Sequence, residues 1–328
     1  MSNDFQLAPN TLIFLMGPTA SGKTSLAINL ARYFPIEIIS VDSALVYRGL
    51  DIGSAKPTKE EREAVPHHLI DICDPSESFS AADFCDQVQK TVVEITGRGK
   101  IPVLAGGTMM YFRAFLDGLA QMPEADEQIR AQIESVAQEL GWTEIHRRLA
   151  EVDPQTAAEI HPNHSQRLSR AYEVYLSSGK TMSQLRAVQP KENSFLLNYQ
   201  IIQLAICPKQ RATLHQRIEQ RLRQMVAHGF VEEVEKLFRR GDLNEKLPAI
   251  RAVGYRQFWN YCAGECSLDD ATEKAIIATR QLAKRQLTWL RGWKDPLYWL
   301  YTQEESGENL NDEQILFKAL RILDQFAI

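Results

Sequence analysis

An α/β fold, a parallel sheet flanked by helices and interrupted by an all-helical insertion domain, is predicted by three features of this 328-residue chain. Short apolar, β-branched runs at 12–16, 36–41, 101–105 and 201–206 each read as a buried parallel strand. Segments of helical periodicity lie between them, as a parallel sheet requires of its crossovers. A long interval separates Ala105 from Ile201, and much of it carries apolar residues at three- and four-residue spacing. Residues 120–198 are therefore expected to form the helical insertion, and 1–119 with 199–328 the sheet domain and its C-terminal helices.

The elements follow in order. Leu12-Ile13-Phe14-Leu15-Met16 leads directly into Gly17-Pro18-Thr19-Ala20-Ser21-Gly22-Lys23-Thr24, a complete G-x-x-x-x-G-K-[ST] loop, and Thr24–Ala31 supplies a helix after it. At such a junction successive backbone N–H groups and a helix N-terminus converge on phosphate oxygens, Lys23 adds a point charge, and the Thr24 hydroxyl is available to Mg²⁺ or to phosphate. The second strand ends in Asp42-Ser43, and the carboxyl ends of parallel strands face the ligand crevice. Asp42 there reads three ways: a metal-side carboxylate, a general base, or a cap on its own turn. The third strand runs into Gly106-Gly107-Thr108, where glycine permits close backbone approach to a ligand and Thr108 adds a hydroxyl; a plain strand-to-helix turn is the alternative. In the insertion, helices are predicted at Glu127–Gly141, Trp142–Val152, Pro154–Ile160 and Gln166–Ser178. After the fourth strand come helices at Thr213–His228, Phe230–Arg240 and Leu268–Trp293, a loose polar stretch from Thr302 to Asn311, and an amphipathic helix from Asp312.

Composition narrows the class. The first residues lack a basic segment followed by a long apolar one, and no apolar run approaches the length of a bilayer span, so a cytoplasmic protein without a membrane partner is expected. Cys73, Cys85, Cys207, Cys262 and Cys266 are scattered, with no C-x-x-C pair, which argues against a disulfide frame or zinc site and for buried or half-buried thiols. His67-His68 and His161-Pro162-Asn163-His164 have no second cluster at metal-site spacing and are expected in loop or capping roles. The net charge is −5, yet 209–294 holds 17 Lys and Arg against 10 Asp and Glu. Local potential governs contact with a phosphate backbone, so this basic region is compatible with a nucleic-acid partner as well as with a solvated helical face.

GPTASGKT, then Asp42-Ser43-Ala44-Leu45-Val46-Tyr47-Arg48-Gly49-Leu50-Asp51-Ile52-Gly53-Ser54-Ala55-Lys56-Pro57, then Gly106-Gly107-Thr108-Met109-Met110-Tyr111, and later Arg251-Ala252-Val253-Gly254-Tyr255-Arg256 occur in this order. In these motifs, from about Leu12 to Trp293, the chain resembles the bacterial tRNA dimethylallyltransferase family. The resemblance implies a P-loop, kinase-like fold and transfer of a dimethylallyl group from dimethylallyl diphosphate to the exocyclic N6 amine of the adenosine just 3′ of the anticodon, in tRNAs reading codons that start with U. It implies Mg²⁺ as cofactor, the tRNA anticodon stem-loop as partner, and action as a monomer. It assigns Lys23, Asp42, Thr108 and Arg221 to catalysis, Gly17 to Thr24 to the diphosphate, and Thr24 to the metal. Contacts to tRNA would come from Asp42, Ser43, Ala44, Leu45, Thr108, Arg130, Gln166, Arg167, Leu168, Ser169, Arg170 and the run Arg251 to Arg256.

These residues suit that chemistry. An exocyclic adenine amine is a poor nucleophile, so the site must stabilise a departing diphosphate and accept a proton from the attacking nitrogen. The glycine loop and Lys23 meet the first demand, and the resemblance favours Asp42 as the base for the second. Arg217 and Arg221 share one helix face while Leu214, Ile218 and Leu222 define the packed stripe. Arg167 with Arg170, and Arg280 with Lys284 and Arg291, form basic faces; Trp289 and Trp293 are expected in the core. The competing reading is a small-molecule or nucleoside kinase that uses the same loop for ATP, with Asp42 as base for a hydroxyl; a non-enzymatic RNA-binding scaffold is the third.

Overall fold

A computed structural model describes residues 6–120, 122–188 and 193–328. Its elements are β1 (Thr11–Met16), α1 (Lys23–Leu30), β2 (Ile36–Val41), α2 (Lys59–Ala64), β3 (His67–His68), α3 (Ala81–Gly97), β4 (Ile101–Gly106), α4 (Met109–Asp117), α5 (Glu127–Leu140), α6 (Trp142–Val152), α7 (Pro154–Glu159), α8 (Ser165–Ser178), α9 (Met182–Ala187), β5 (Gln200–Cys207), α10 (Arg211–Ala227), α11 (Phe230–Arg239), α12 (Tyr255–Cys262), α13 (Leu268–Arg291), β6 (Tyr298–Tyr301) and α14 (Asp312–Leu323). The chain divides into two compact units, Met1–Ala114 with Phe195–Ile328, and Phe115–Ser194.

The first unit is built on a parallel sheet in the order β3-β2-β4-β1-β5-β6. All residues of β1 and β2 are buried, including Glu37 and Ser40 of β2, and the remainder of both strands is mainly apolar. β1 lies between β4 and β5, so the chain winds to one side of β1 through β2 and β4 and then crosses to the other at β5. The carboxyl ends of β1 and β4 therefore sit at the switch point where open α/β sheets take their ligands. One core packs Ile13, Leu15, Ile202 and Leu204 of the sheet with Leu26 and Leu30 of α1 and Leu316 and Leu320 of α14. Another gathers Val46, Tyr47 and Leu50 with Phe230, Tyr255 and Phe258. No helix among the described residues is long and apolar enough to cross a membrane.

Two strands escaped the sequence reading. β3 is a two-residue strand paired with β2, so His67 and His68 are sheet residues and not loop or capping residues; the His68 Nε2 lies 2.7 Å from Glu37 Oε2. β6 follows a polar segment and is only four residues long. The stretch expected to be loose is pinned instead: Thr302 and Gln303 are buried, Gln303 bridges to Asn309, and the Gln210 N–H donates to Gln303 Oε1 at 2.9 Å. The glycines after β4 also have a cause other than a ligand. A Cβ on Gly106 would lie 2.0 Å from the Val41 carbonyl oxygen, and one on Gly107 would lie 2.4 Å from Gln286 Nε2, so close approach within the protein demands both.

The second unit is helical. Ile133, Ile145, Leu149, Leu168 and Val174 form its core, and Asp126 caps α5 by accepting from the N–H groups of Gln128 and Ile129. Glu173 is wholly buried yet ionic: its Oε1 accepts from Arg130 Nε at 3.1 Å and from the Asp126 N–H at 2.7 Å, and its Oε2 lies 3.0 Å from an Arg170 nitrogen.

The Gly106→Ala substitution is expected to lower the denaturation midpoint, with a loss of about 3 kcal/mol of stability by forced overpacking. A chemical denaturation curve of the full chain would expose a wild-type midpoint, which this packing argument does not allow.

Candidate active site

The G-x-x-x-x-G-K-[ST] loop joins β1 to α1 with Ala20 at φ 61° and Gly22 at φ 96°. A Cβ at Gly17 would lie 2.4 Å from the Ile206 carbonyl oxygen, so the loop can press against β5 only with glycine there. α1 starts at Gly22 with no side-chain cap and no acidic residue in its first turn. By contrast, α2, α3 and α14 start with a capping box and carry acidic residues. The α1 terminus therefore has no carboxylate or side-chain cap of its own, and an anion placed there would meet its N–H groups.

This end of the sheet opens into a cavity of about 910 Å³, lined by the loop, by Asp42 to Leu45, by Gly106 to Met110, and by residues of α10, α12 and α13. The Lys23 ammonium folds back to donate to the carbonyls of Gly17 at 2.9 Å and Pro18 at 2.8 Å. Burial lowers its pKa to about 8, with Asp42 opposing that shift and Arg221 adding to it. Burial likewise raises the Asp42 pKa, against the Ala44 N–H that donates to Asp42 Oδ1 at 2.9 Å and the nearby charges of Lys23 and Arg221. Arg221, one turn beyond Arg217, is itself desolvated, and Asp42 is the first of the groups that support its charge. Lys23, Asp42 and Arg221 thus form one electrostatically coupled set. Thr108 is held by its neighbours: its N–H donates to the Val41 carbonyl at 3.2 Å, and its hydroxyl accepts from the Ser43 N–H at 3.1 Å. Asp42 does act as the acceptor of its own turn, so the capping reading is true without excluding chemistry at the carboxylate.

Gln286 of α13 is buried and joins the two loops: Oε1 accepts from the Thr19 N–H and Nε2 donates to the Gly107 carbonyl, both at 2.9 Å. Sequence reasoning missed it, although a glutamine in step with Ala283 and Leu290 on the buried stripe of a long helix is the available signal. Trp289 corrects another expectation. It is 46% exposed and lines the cavity beside Arg285, whereas Trp293 is half-buried, donating its indole N–H to Gln203 Oε1 at 2.9 Å.

The residues expected at RNA behave unequally. Ser43, Arg130, Gln166, Arg167, Arg251 and Arg256 are exposed, and Ala44, Leu45, Ser169, Arg170, Ala252 and Val253 are half-buried. Leu168 is corrected to a packing residue, because it is sealed in the helical core, whereas Tyr255 is buried yet reaches the cavity, its hydroxyl donating to Glu233 at 2.6 Å. Gly254 is also buried, at φ 94°, so its part is to turn the chain. Arg130 and Arg170 are engaged by Glu173, and Arg280 by Glu219 at 2.7 Å, which tempers the basic faces read from spacing. For a metal, no group of three His, Cys, Asp or Glu side chains is assembled among the described residues, whereas the exposed Thr24 hydroxyl stands at the cavity.

This geometry has known counterparts. The full-length tRNA isopentenylpyrophosphate transferase of Bacillus halodurans is 36% identical, with 97% of each chain covered and a TM-score of 0.68. The tRNA delta(2)-isopentenylpyrophosphate transferase of Staphylococcus epidermidis is 38% identical, over 96% of this chain and 99% of that one, with a TM-score of 0.67. A eukaryotic dimethylallyltransferase acting on tRNA is 25% identical over 96% of this chain and 80% of that one, with a TM-score of 0.77. The family model for IPP transferase matches residues 45–293, and with the cavity, the phosphate loop and these likenesses together, the chain belongs to the IPP transferase family.

Proposed function

We propose that this enzyme transfers a dimethylallyl group from dimethylallyl diphosphate to the exocyclic N6 amine of the adenosine 3′ of the anticodon, in tRNAs reading codons that start with U. The observation that carries the reading is the coupled set of Lys23, Asp42 and Arg221 at one cavity, a cationic cradle next to a carboxylate of raised pKa. Membership of the IPP transferase family supports prenyl transfer over the kinase alternative.

In the reaction, the adenine nitrogen forms a bond to the allylic carbon as the carbon–oxygen bond breaks, and the bonding electrons leave with diphosphate. The α1 N-terminus, Lys23 and Arg221 receive that growing charge in a site already organised for it. The proton released from the amine passes to the Asp42 carboxylate, which the Ala44 and Leu45 N–H groups hold in place. Thr108 fixes the Asp42–Ser43 turn through the Ser43 N–H. Apolar side chains in the lining, among them Leu45, Met109 and Met225, suit the hydrocarbon part. The adenosine must leave its stack to reach the cavity, and exposed arginines, Arg251 and Arg256 in the first unit and Arg167 in the second, suit contact with an RNA backbone. The Thr24 hydroxyl would hold a divalent cation at the cavity, and such an ion would supply further charge neutralisation as diphosphate leaves.

Nucleoside mass spectrometry of unmodified tRNA treated with the protein and dimethylallyl diphosphate tests the assignment, with gain of one five-carbon unit on adenosine expected and ATP hydrolysis in its place excluding it. Asp42→Asn should lower kcat by about 10²–10⁴-fold with RNA affinity retained in a gel-shift titration. Lys23→Ala should cost about 10²–10³-fold in kcat/KM for the donor; single-turnover rates check this. The pH profile has a fixed sign. Asp42 works ionised and its pKa is raised, so kcat/KM falls as pH drops through that raised value. Lys23 works charged with a pKa lowered to about 8, so kcat/KM falls again as pH rises past it. Bound diphosphate favours the Lys23 charge, so the alkaline decline should be weaker in kcat than in kcat/KM.

A further inference from the structure

The chain leaving β2 carries Asp42 to Leu45 into the cavity, departs, and returns so that Gly53, Ser54 and Ala55 line the same cavity. This returning segment is irregular backbone, with Ala55 at φ 55°, and no strand ladder supports it. What holds it is a carboxylate from α11. Glu233 Oε2 accepts from the N–H groups of Asp51 at 2.9 Å and Ile52 at 2.7 Å, and Oε1 accepts from the Gly53 N–H at 3.1 Å. The Tyr255 hydroxyl donates to Glu233 Oε1 at 2.6 Å and accepts from the Ser54 N–H at 3.1 Å. Four consecutive amides are thus tied to one acid–phenol pair, an internal version of the backbone nests that bind anions.

Packing fixes the same joint. A Cβ on Gly53 would lie 2.0 Å from the Phe230 ring, so the segment sits flush on that ring. Phe230 in turn meets Tyr255 at 5.1 Å and Phe258 at 4.7 Å between ring centroids. Beside this wall a recess of about 520 Å³ is lined by Ala55 together with Arg221 and Met225, residues that also line the main cavity. The wall therefore stands beside Met225, one of the apolar side chains that suit the hydrocarbon part.

We infer that Glu233 is a positioning residue, whose carboxylate, gripped by the amides of Asp51, Ile52 and Gly53 and by the Tyr255 hydroxyl, sets the 53–55 wall against the hydrocarbon part of the prenyl donor. This rests on the reading of the cavity as a prenyl-donor site. A glutamine in its place would set an NH₂ donor against amides that also donate, so the wall loses its register while the phosphate loop is untouched.

Calorimetric titration without tRNA separates the two parts of the donor. For Glu233→Gln the dissociation constant of dimethylallyl diphosphate should rise about tenfold, and for Tyr255→Phe about threefold, with inorganic diphosphate changed less than about twofold in both. In steady-state assays below the melting temperature the donor KM should rise in the same order, with kcat changed less than about threefold. Wild-type affinity for dimethylallyl diphosphate in folded variants overturns the inference, as does equal weakening of both ligands, which marks a merely structural role. If Glu233→Gln does not fold, Tyr255→Phe decides by the same criteria. A wild-type protein that binds inorganic diphosphate but not dimethylallyl diphosphate defeats the donor reading and this inference together.

Discussion

The cavity depends on one primary amide. Gln286 presents an acceptor to the Thr19 N–H and a donor to the Gly107 carbonyl, and no carboxylate or ammonium can satisfy both loops at once. β1 and β4 are neighbours in the sheet, so their loops already emerge side by side; Gln286 sets their separation from a helix that belongs to neither. Gly107 has room for that amide only because it lacks a side chain. Lys23 lies just beyond one tied loop and Thr108 just beyond the other, so both edges of the cavity inherit their positions from the same pair of hydrogen bonds.

Electrostatics then works on this frame. Desolvation disfavours the charged forms of Lys23, Asp42 and Arg221 alike, and each opposite pair recovers part of that cost from its neighbour. Removing any one member changes the protonation balance of the other two, so single substitutions here report on a set more than on a side chain. The acid also serves its own turn, where the Ala44 N–H donates to Oδ1 and the Leu45 N–H supports the carboxylate.

Much of this was legible in the sequence because periodicity and punctuation carry it. β2 runs from Ile36 to Val41 as its apolar run indicates, and the phosphate loop sits at the strand-to-helix junction its motif requires. Elements that draw support from distant partners were not legible. His67 and His68 pair in a sheet although two residues carry no period, and the polar run after β6 is ordered by Gln210 and Arg217, far away in sequence. At the site, motif residues were visible as such, but Gln286 and Glu233 act through geometry between helices and loops. Leu168 shows the converse: a residue can stand inside a motif and serve packing.

The tether of Lys23 on the Gly17 and Pro18 carbonyls bears on how the loop would meet a phosphate. An ammonium that must trade two good acceptors for a phosphate oxygen gains less from the exchange than a bare charge would. The same two carbonyls stand ready to take it back. The tether in this way tempers the attraction of the buried ammonium for any anion that enters.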